Sequence, residues 1–353
     1  MSHLEERMEH DLNYIRDTLW RIGEDVEAAL RNAKKTLILR DSEMAYQVIL
    51  GDYPINRESR RCDHLCHTFI ARYLPGAGAL REMASTTRIN VILERVGDYA
   101  VTICREAMQL QRPLPEKFSS RIDSIADDAT EILAGARSAF REGNAERAIA
   151  LMGAAKRMEG RMDGFYQELF AEDDRLDATT MMVIFAVFNM YKRVTDQAKN
   201  ICDQTVFAVR GIAKLPKVYR ILFIDREGSE LGQLATAIGR KNFPEQATFT
   251  VASPGGAQRV SSELAAFLAE RGLEADKLNS ESLAALEHDF ADYVVIIALN
   301  GRVADYVPRM PFHSSALNWK IPEDADRDQQ YRLLRSQILD LVTLLTGTQT
   351  TPA

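Results

Sequence analysis

The strongest constraint on this chain is a string that it carries twice. Leu93-Glu94-Arg95-Val96-Gly97-Asp98-Tyr99-Ala100-Val101-Thr102-Ile103-Cys104 is echoed by Arg193-Val194-Thr195-Asp196-Gln197-Ala198-Lys199-Asn200-Ile201-Cys202. The shared letters are R-V-x-D-x-A-x-x-I-C, and both copies lie within apolar patterns of helical period. A string recurring at this distance marks a duplicated supersecondary unit. Residues four apart share a helix face, so Glu94, Asp98 and Thr102 form one polar stripe and Lys192, Asp196 and Asn200 its counterpart. The pattern predicts two acidic stripes at related positions in two halves of one bundle.

Each half offers three helical segments. Met8, Leu12, Ile15, Leu19, Ile22, Val26, Leu30, Ala33 and Leu37 step by fours and threes along one amphipathic helix. Asp41 is a suitable N-cap for a second helix, with Pro54 a kink inside it and Leu74-Pro75-Gly76 its stop. A third runs from about Gly78 to Gln111 and ends before Arg112-Pro113-Leu114-Pro115, the seam between the halves. Beyond the seam, segments from Lys117 to Glu142, from Asn144 to Phe170 and from Asp177 to Arg210 repeat the design. Residues 1–112 and 113–212 therefore form a six-helix bundle of two three-helix repeats.

After Gly211 the rhythm changes. Val218–Ile224, Thr248–Ala252 and Tyr293–Leu299 have strand character, and helical patterns at Ser229–Lys241, Val260–Arg271 and Arg327–Leu345 alternate with them. Such alternation predicts an α/β domain with a small parallel sheet over residues 218–346. The fold class is mainly α, with this domain appended.

Composition narrows the function. A net charge of -7 does not suit a phosphodiester backbone, so nucleic acid is not expected as a partner. The apolar run Met181–Met190 is shorter than the roughly 20 residues a membrane helix needs. Cys62, Cys66, Cys104 and Cys202 follow no leader pattern, which predicts reduced core thiols in a cytoplasmic protein. Cys62 and Cys66 with His64 and His67 carry zinc-type ligands, but the spacing turns His64 away from the sulfurs and favours core packing.

The first two thirds resemble the PhoU family of phosphate-signalling regulators. The family's E-R-[IV]-x-D-x-A-x-N-[IV] helix is matched by Glu94, Arg95, Val96, Asp98, Ala100 and Ile103. It is matched again by Arg193, Val194, Asp196, Ala198, Asn200 and Ile201. Leu74-Pro75 followed by Leu80-Arg81 resembles the family's entry to its third helix, with Ala79 where an Asp is usual. The resemblance implies divalent or iron metal clusters held by acidic pairs, here Asp52 and Asn56 with Glu94 and Asp98, and Glu159 and Asp163 with Asp196 and Asn200. Oxygen ligands on facing helices suit hard or borderline cations. Thr102 and Lys192 depart from the family's Asn and Glu, and an ammonium at Lys192 competes with a cation, so the second site should be the weaker. Read from spacing alone, the default for the same residues is a solvated or salt-bridged helix face.

The resemblance further implies a homodimer that represses phosphate-starvation signalling through a phosphate transporter ATPase subunit and a sensor histidine kinase, touching membrane complexes only peripherally. Regulation of a sodium-coupled phosphate carrier is an alternative.

The last third resembles the low-molecular-weight phosphatase and arsenate reductase fold through Ile221–Ile224, Asp292–Ile297 and Trp319-Lys320-Ile321-Pro322-Glu323-Asp324. Where that family places its nucleophilic cysteine and its arginine, this chain has Asp225 and Leu231, and no cysteine follows Cys202. That excludes thiolate chemistry and implies a pseudophosphatase: a degenerate anion loop of Asp225, Gly228 and Ser229 at the start of a helix, with no enzymatic activity. The competing class is a phosphatase with a regulatory helical domain. An aspartyl nucleophile at Asp225 would call for Asp and Thr where Glu227 and Ser229 stand.

Overall fold

The computed structural model describes residues 3–171, 176–212, 217–256, 258–276, 278–311, 314–322 and 324–347; the side chains of residues 159–164, 166–168, 170–171 and 287–288 lie outside this description. The chain divides into two compact units, Met1–Lys214 and Leu215–Ala353.

The first unit holds α1 (His3–Leu39), α2 (Ser42–Tyr73), α3 (Ala77–Ala107), α4 (Glu116–Arg141), α5 (Ala145–Ala171) and α6 (Ala178–Arg210). Their ends follow the capping chemistry in the sequence. The Asp41 side chain accepts from Met44 N at 3.0 Å, Asp177 from Thr180 N at 2.9 Å, and Asn144 from Arg147 N at 2.9 Å. Helix α6 stops where Gly211 takes a left-handed conformation, φ 70°. Helix α3 ends at Ala107, short of Gln111, because the chain tightens there into bonds from Gln109 N to Glu106 O and from Leu110 N to Ala107 O. Helix α2 runs through Pro54, whose missing N–H removes the usual donor for the Leu50 carbonyl.

Helices α3 and α6, which carry the duplicated motif, pack on each other along the centre of the bundle. Val96, Ala100 and Ile103 are fully buried, as are Val194, Ala198 and Ile201, so the shared apolar letters make the core and the shared aspartates are turned away from it. In the second repeat, Phe165 stacks on Phe188 and meets Phe118 edge-on, joining α4, α5 and α6. A buried ion pair links the repeats: the Arg137 guanidinium of α4 donates to Glu27 of α1 and to the Trp20 carbonyl at 2.7 Å. Gly23 makes the room, since a Cβ there would overlap the Arg137 guanidinium.

The second unit is an all-parallel five-stranded sheet of β1 (Tyr219–Ile224), β2 (Ala247–Ser253), β3 (Glu281–Ser282), β4 (Val295–Leu299) and β5 (Ser315–Trp319), in the order β3-β2-β1-β4-β5. Around it lie α7 (Leu231–Asn242), α8 (Ser262–Glu270), a 3₁₀ segment over Leu283–Asp292, α9 (Val303–Tyr306) and α10 (Arg327–Thr346). Along β1, Ile221 and Phe223 enter one core with α7, α8 and α10. Leu222 and Ile224 enter another with Phe290, Val303 and Val307. Burial on both faces explains why the strand reads as an unbroken apolar run. Strands β3 and β5 escape the sequence reading because each is at a sheet edge: one is two residues long, and the other, Ser-Ala-Leu-Asn-Trp, is only partly buried.

Candidate functional site

In the first repeat, α2 and α3 bring part of the acidic set together. Asp52 is half-buried, and its Oδ2 accepts from Asn56 Nδ2 at 2.7 Å. Its Oδ1 and the Asn56 Oδ1 are both buried without a hydrogen-bond partner. Burial pushes the Asp52 carboxyl up from its ordinary value, and the neighbouring charge of Asp98 pushes it further. The Asn56 hydrogen bond and the charge of Arg105 oppose both. Gly97 allows this approach, because a Cβ there would stand 3.1 Å from Asp52 Oδ1 and 4.0 Å from Val26 Cγ2.

Two buried oxygens lacking donors are the chemistry a hard cation satisfies, so Asp52 and Asn56 fit such an ion, while Asp98, whose charge reaches Asp52, is itself exposed. Glu94 is half-buried one turn before Asp98. Among the described residues no group of three or more His, Cys, Asp or Glu side chains is assembled for a metal, so Asp52, Glu94 and Asp98 do not converge as three carboxylates. The Thr102 hydroxyl donates to the Asp98 carbonyl at 2.9 Å on its own helix.

The second repeat is built differently. Thr195 stands where the first repeat has Gly97, and it is buried, with its hydroxyl against Met158 Sδ at 3.3 Å and the Tyr191 carbonyl at 3.2 Å. The gap that admits a carboxylate oxygen in the first repeat is filled here by a threonine packed on a thioether. Asp196 and Asn200 are half-buried, and Asn200 Nδ2 donates to Gln197 Oε1 at 3.3 Å. The side chains of Glu159 and Asp163 lie outside the described residues. Sequence reasoning missed this asymmetry, although its signal, Gly against Thr inside an otherwise shared motif, is plain in the two strings.

Cys62 and Cys66 are fully buried while His64 and His67 are exposed on the other side of α2, so the four do not form a zinc set. The Cys62 thiol is pushed up by its hydrogen bond with Cys66 and by burial. Burial also pushes Cys104 up to about 11 and Cys202 up to about 12, leaving these groups as neutral thiols.

In the second unit, Asp225 follows the last residue of β1 and is buried. Its Oδ1 accepts from Arg226 N at 2.9 Å and its Oδ2 from Gly232 N at 2.7 Å, so the carboxylate caps α7 from the strand side. Helix α7 begins at Leu231, two residues later than the sequence reading, and Gly228 and Ser229 form the turn before it. The Gly232 amide that would greet an external anion is thus engaged by the chain's own carboxylate. Burial pushes the Asp225 carboxyl up, while the bonds from Gly232, Ser229 and Arg226 hold it down. Leu231, in the place of the phosphatase arginine, is buried in the sheet core. A cleft of about 660 Å³ opens outside the ends of β1 and β4, bordered by Arg226, Ser229, Asn300, Arg327 and Gln330. There the Arg327 guanidinium donates to Glu230 at 2.8 Å.

Comparison with known proteins bears on the bundle. The PhoU domain family matches residues 19–107. The phosphate-specific transport system accessory protein PhoU homolog of Pseudomonas putida is 30% identical over 214 residues, spanning 59% of this chain and 83% of that protein. The Escherichia coli K12 accessory protein PhoU is 26% identical over 213 residues, spanning 60% of this chain and 88% of that protein. The crystal structure of PhoU from Pseudomonas aeruginosa superposes with a TM-score of 0.55 and 27% identity, covering 58% of this chain and 99% of that one. With its two motif-bearing helices at the centre of a six-helix bundle, this chain belongs to the PhoU family.

Proposed function

We propose that this protein regulates phosphate uptake and represses phosphate-starvation signalling through contacts with a phosphate transporter ATPase subunit and a sensor histidine kinase. The relatives are accessory proteins of the phosphate-specific transport system, and the bundle they share with this chain supports a role of the same kind. The observation that carries this reading is the pair of motif helices, α3 and α6, whose apolar letters form the core and whose aspartates lie off it. The protein works in the cytoplasm, against the inner side of membrane complexes, and as a homodimer.

A divalent or iron cation at Asp52, Asn56 and Asp98 would supply positive charge to an otherwise electronegative corner and tie α2 to α3. Asp52 Oδ1 and Asn56 Oδ1 would turn toward it, and Gly97 would keep the approach open. The second unit serves as a sensing or docking module rather than an enzyme. The buried, doubly bonded Asp225 supports this, since a nucleophile must be exposed to its substrate and a carboxylate there repels a phosphate dianion.

The deciding experiment is an alkaline phosphatase reporter under excess phosphate in the native host, with the gene deleted and then restored as full-length chain or as residues 1–214. High activity in the deletion, silenced by the full-length chain, supports the regulatory role. Silencing by residues 1–214 alone makes the second unit an accessory. A silent deletion strain overturns the reading and moves regulation of a sodium-coupled carrier ahead of it. Turnover of a generic aryl phosphate that is lost in Asp225→Asn would establish an enzyme instead.

A further inference from the structure

We propose that the outer face of α2 is the self-association surface of this protein, on which two copies pair antiparallel about a two-fold axis between Gly51 and Asp52. The inference rests on the homodimer reading above and names the face that forms it. Helix α2 has an inner face of Ala45, Val48, Ile55, Cys62, Cys66 and Phe69, all buried in the bundle. Its opposite side carries Glu43, Tyr46, Leu50, Tyr53, Arg57 and Arg60, at alternating steps of three and four and all exposed. Tyr46, Leu50 and Tyr53 are 57%, 65% and 63% exposed. Single exposed apolar residues are ordinary, but three large ones in register on one seam have the pattern of a helix that pairs with another.

The order of charges selects the occupant. Acid stands at the start of the seam and base at its end. Parallel pairing of two copies would set Glu43 on Glu43 and Arg57 on Arg57. Antiparallel pairing about the stated axis instead sets Leu50 against Tyr53 of the second copy, Tyr46 against its Arg57, and Glu43 against its Arg60. These are an apolar contact, a cation–π contact and an ion pair, each made twice by symmetry. The seam from Glu43 to Arg60 is about 26 Å long at 1.5 Å per residue. A single helix-on-helix contact of that length falls below the 1,200–2,000 Å² of a standard stable interface, which points to a dimer of roughly micromolar affinity.

Sedimentation velocity of the full chain from about 1 to 200 μM spans that affinity range. It would be run on the wild type, Leu50→Glu, Glu43→Arg and Arg60→Glu, and on an equimolar mixture of the last two. The expected result is a concentration-dependent dimer that each single variant weakens at least about tenfold, the loss of roughly one charged or apolar contact at each of two symmetric places. The mixture should recover wild-type affinity, because in the heterodimer of Glu43→Arg with Arg60→Glu each of the two cross-pairs again joins one acid and one base. A wild type that stays monomeric throughout overturns the homodimer reading and this face together. A dimer that all three variants leave intact overturns this face alone, and a mixture that fails to recover overturns the antiparallel register.

Discussion

Three residues carry most of what can be tested locally. Asp52 holds a carboxyl pushed up by burial and by Asp98, so its folded pKa lies above its unfolded one. A group of that kind contributes stability that is full below the unfolded pKa, about 3.9, and is lost as pH rises through the folded value. Asp52→Asn should therefore be more stable than wild type at neutral pH without metal, with a flatter pH dependence in urea titrations. Added Mn²⁺ should raise the melting temperature of the wild type and not that of Asp52→Asn, because the cation favours the charged carboxylate that the variant lacks. Gly23→Ala tests the link between repeats: displacing Arg137 leaves Glu27 without its buried partner and should cost about 3 kcal/mol or more by chemical denaturation. Asp225→Ala removes the carboxylate that caps α7 and should cost about 1–2 kcal/mol without creating or abolishing any phosphatase turnover.

At the scale of elements, the helices are delimited by named chemistry more than by propensity. Helix α10 opens with a capping box in which the Asp326 side chain accepts from Gln329 N at 2.8 Å and Gln329 Oε1 accepts from Asp326 N at 3.3 Å. Asp326→Ala should lower stability by about 1 kcal/mol, and far-ultraviolet circular dichroism during urea titration will register it. The aspartate cap of α2 was legible in the chain because an acid before an apolar period has one common use. The start of α7 was not, since its cap is Asp225, a residue seven positions upstream of the amide it receives, and only the strand-to-helix geometry brings the two together. Strand β5 was equally hidden: its side chains are half in water, so no apolar run announces it, and its identity comes from the ladder with β4.

At the scale of the whole molecule, one apolar cluster belongs to the bundle and two others to the two faces of the sheet. Each unit thus carries its own core and should unfold on its own. Calorimetry of the full chain should show two transitions, the first unit's lowered by Gly23→Ala and the second's by Asp326→Ala. A single transition moved equally by both variants would contradict this independence.

The duplication, the six helices and the parallel α/β rhythm were all determined by the sequence, because periodicity and capping are local properties of a chain. What the tertiary structure alone decided is which of the repeated polar residues meet. Glycine at 97 and threonine at 195 occupy one motif position, yet the first leaves a gap into which a carboxylate of α2 points, and the second closes it against Met158. The two acidic stripes look alike along the chain, but a site depends on what the neighbouring helix presents across the gap. That distance is set by packing between helices, which no spacing along one helix encodes.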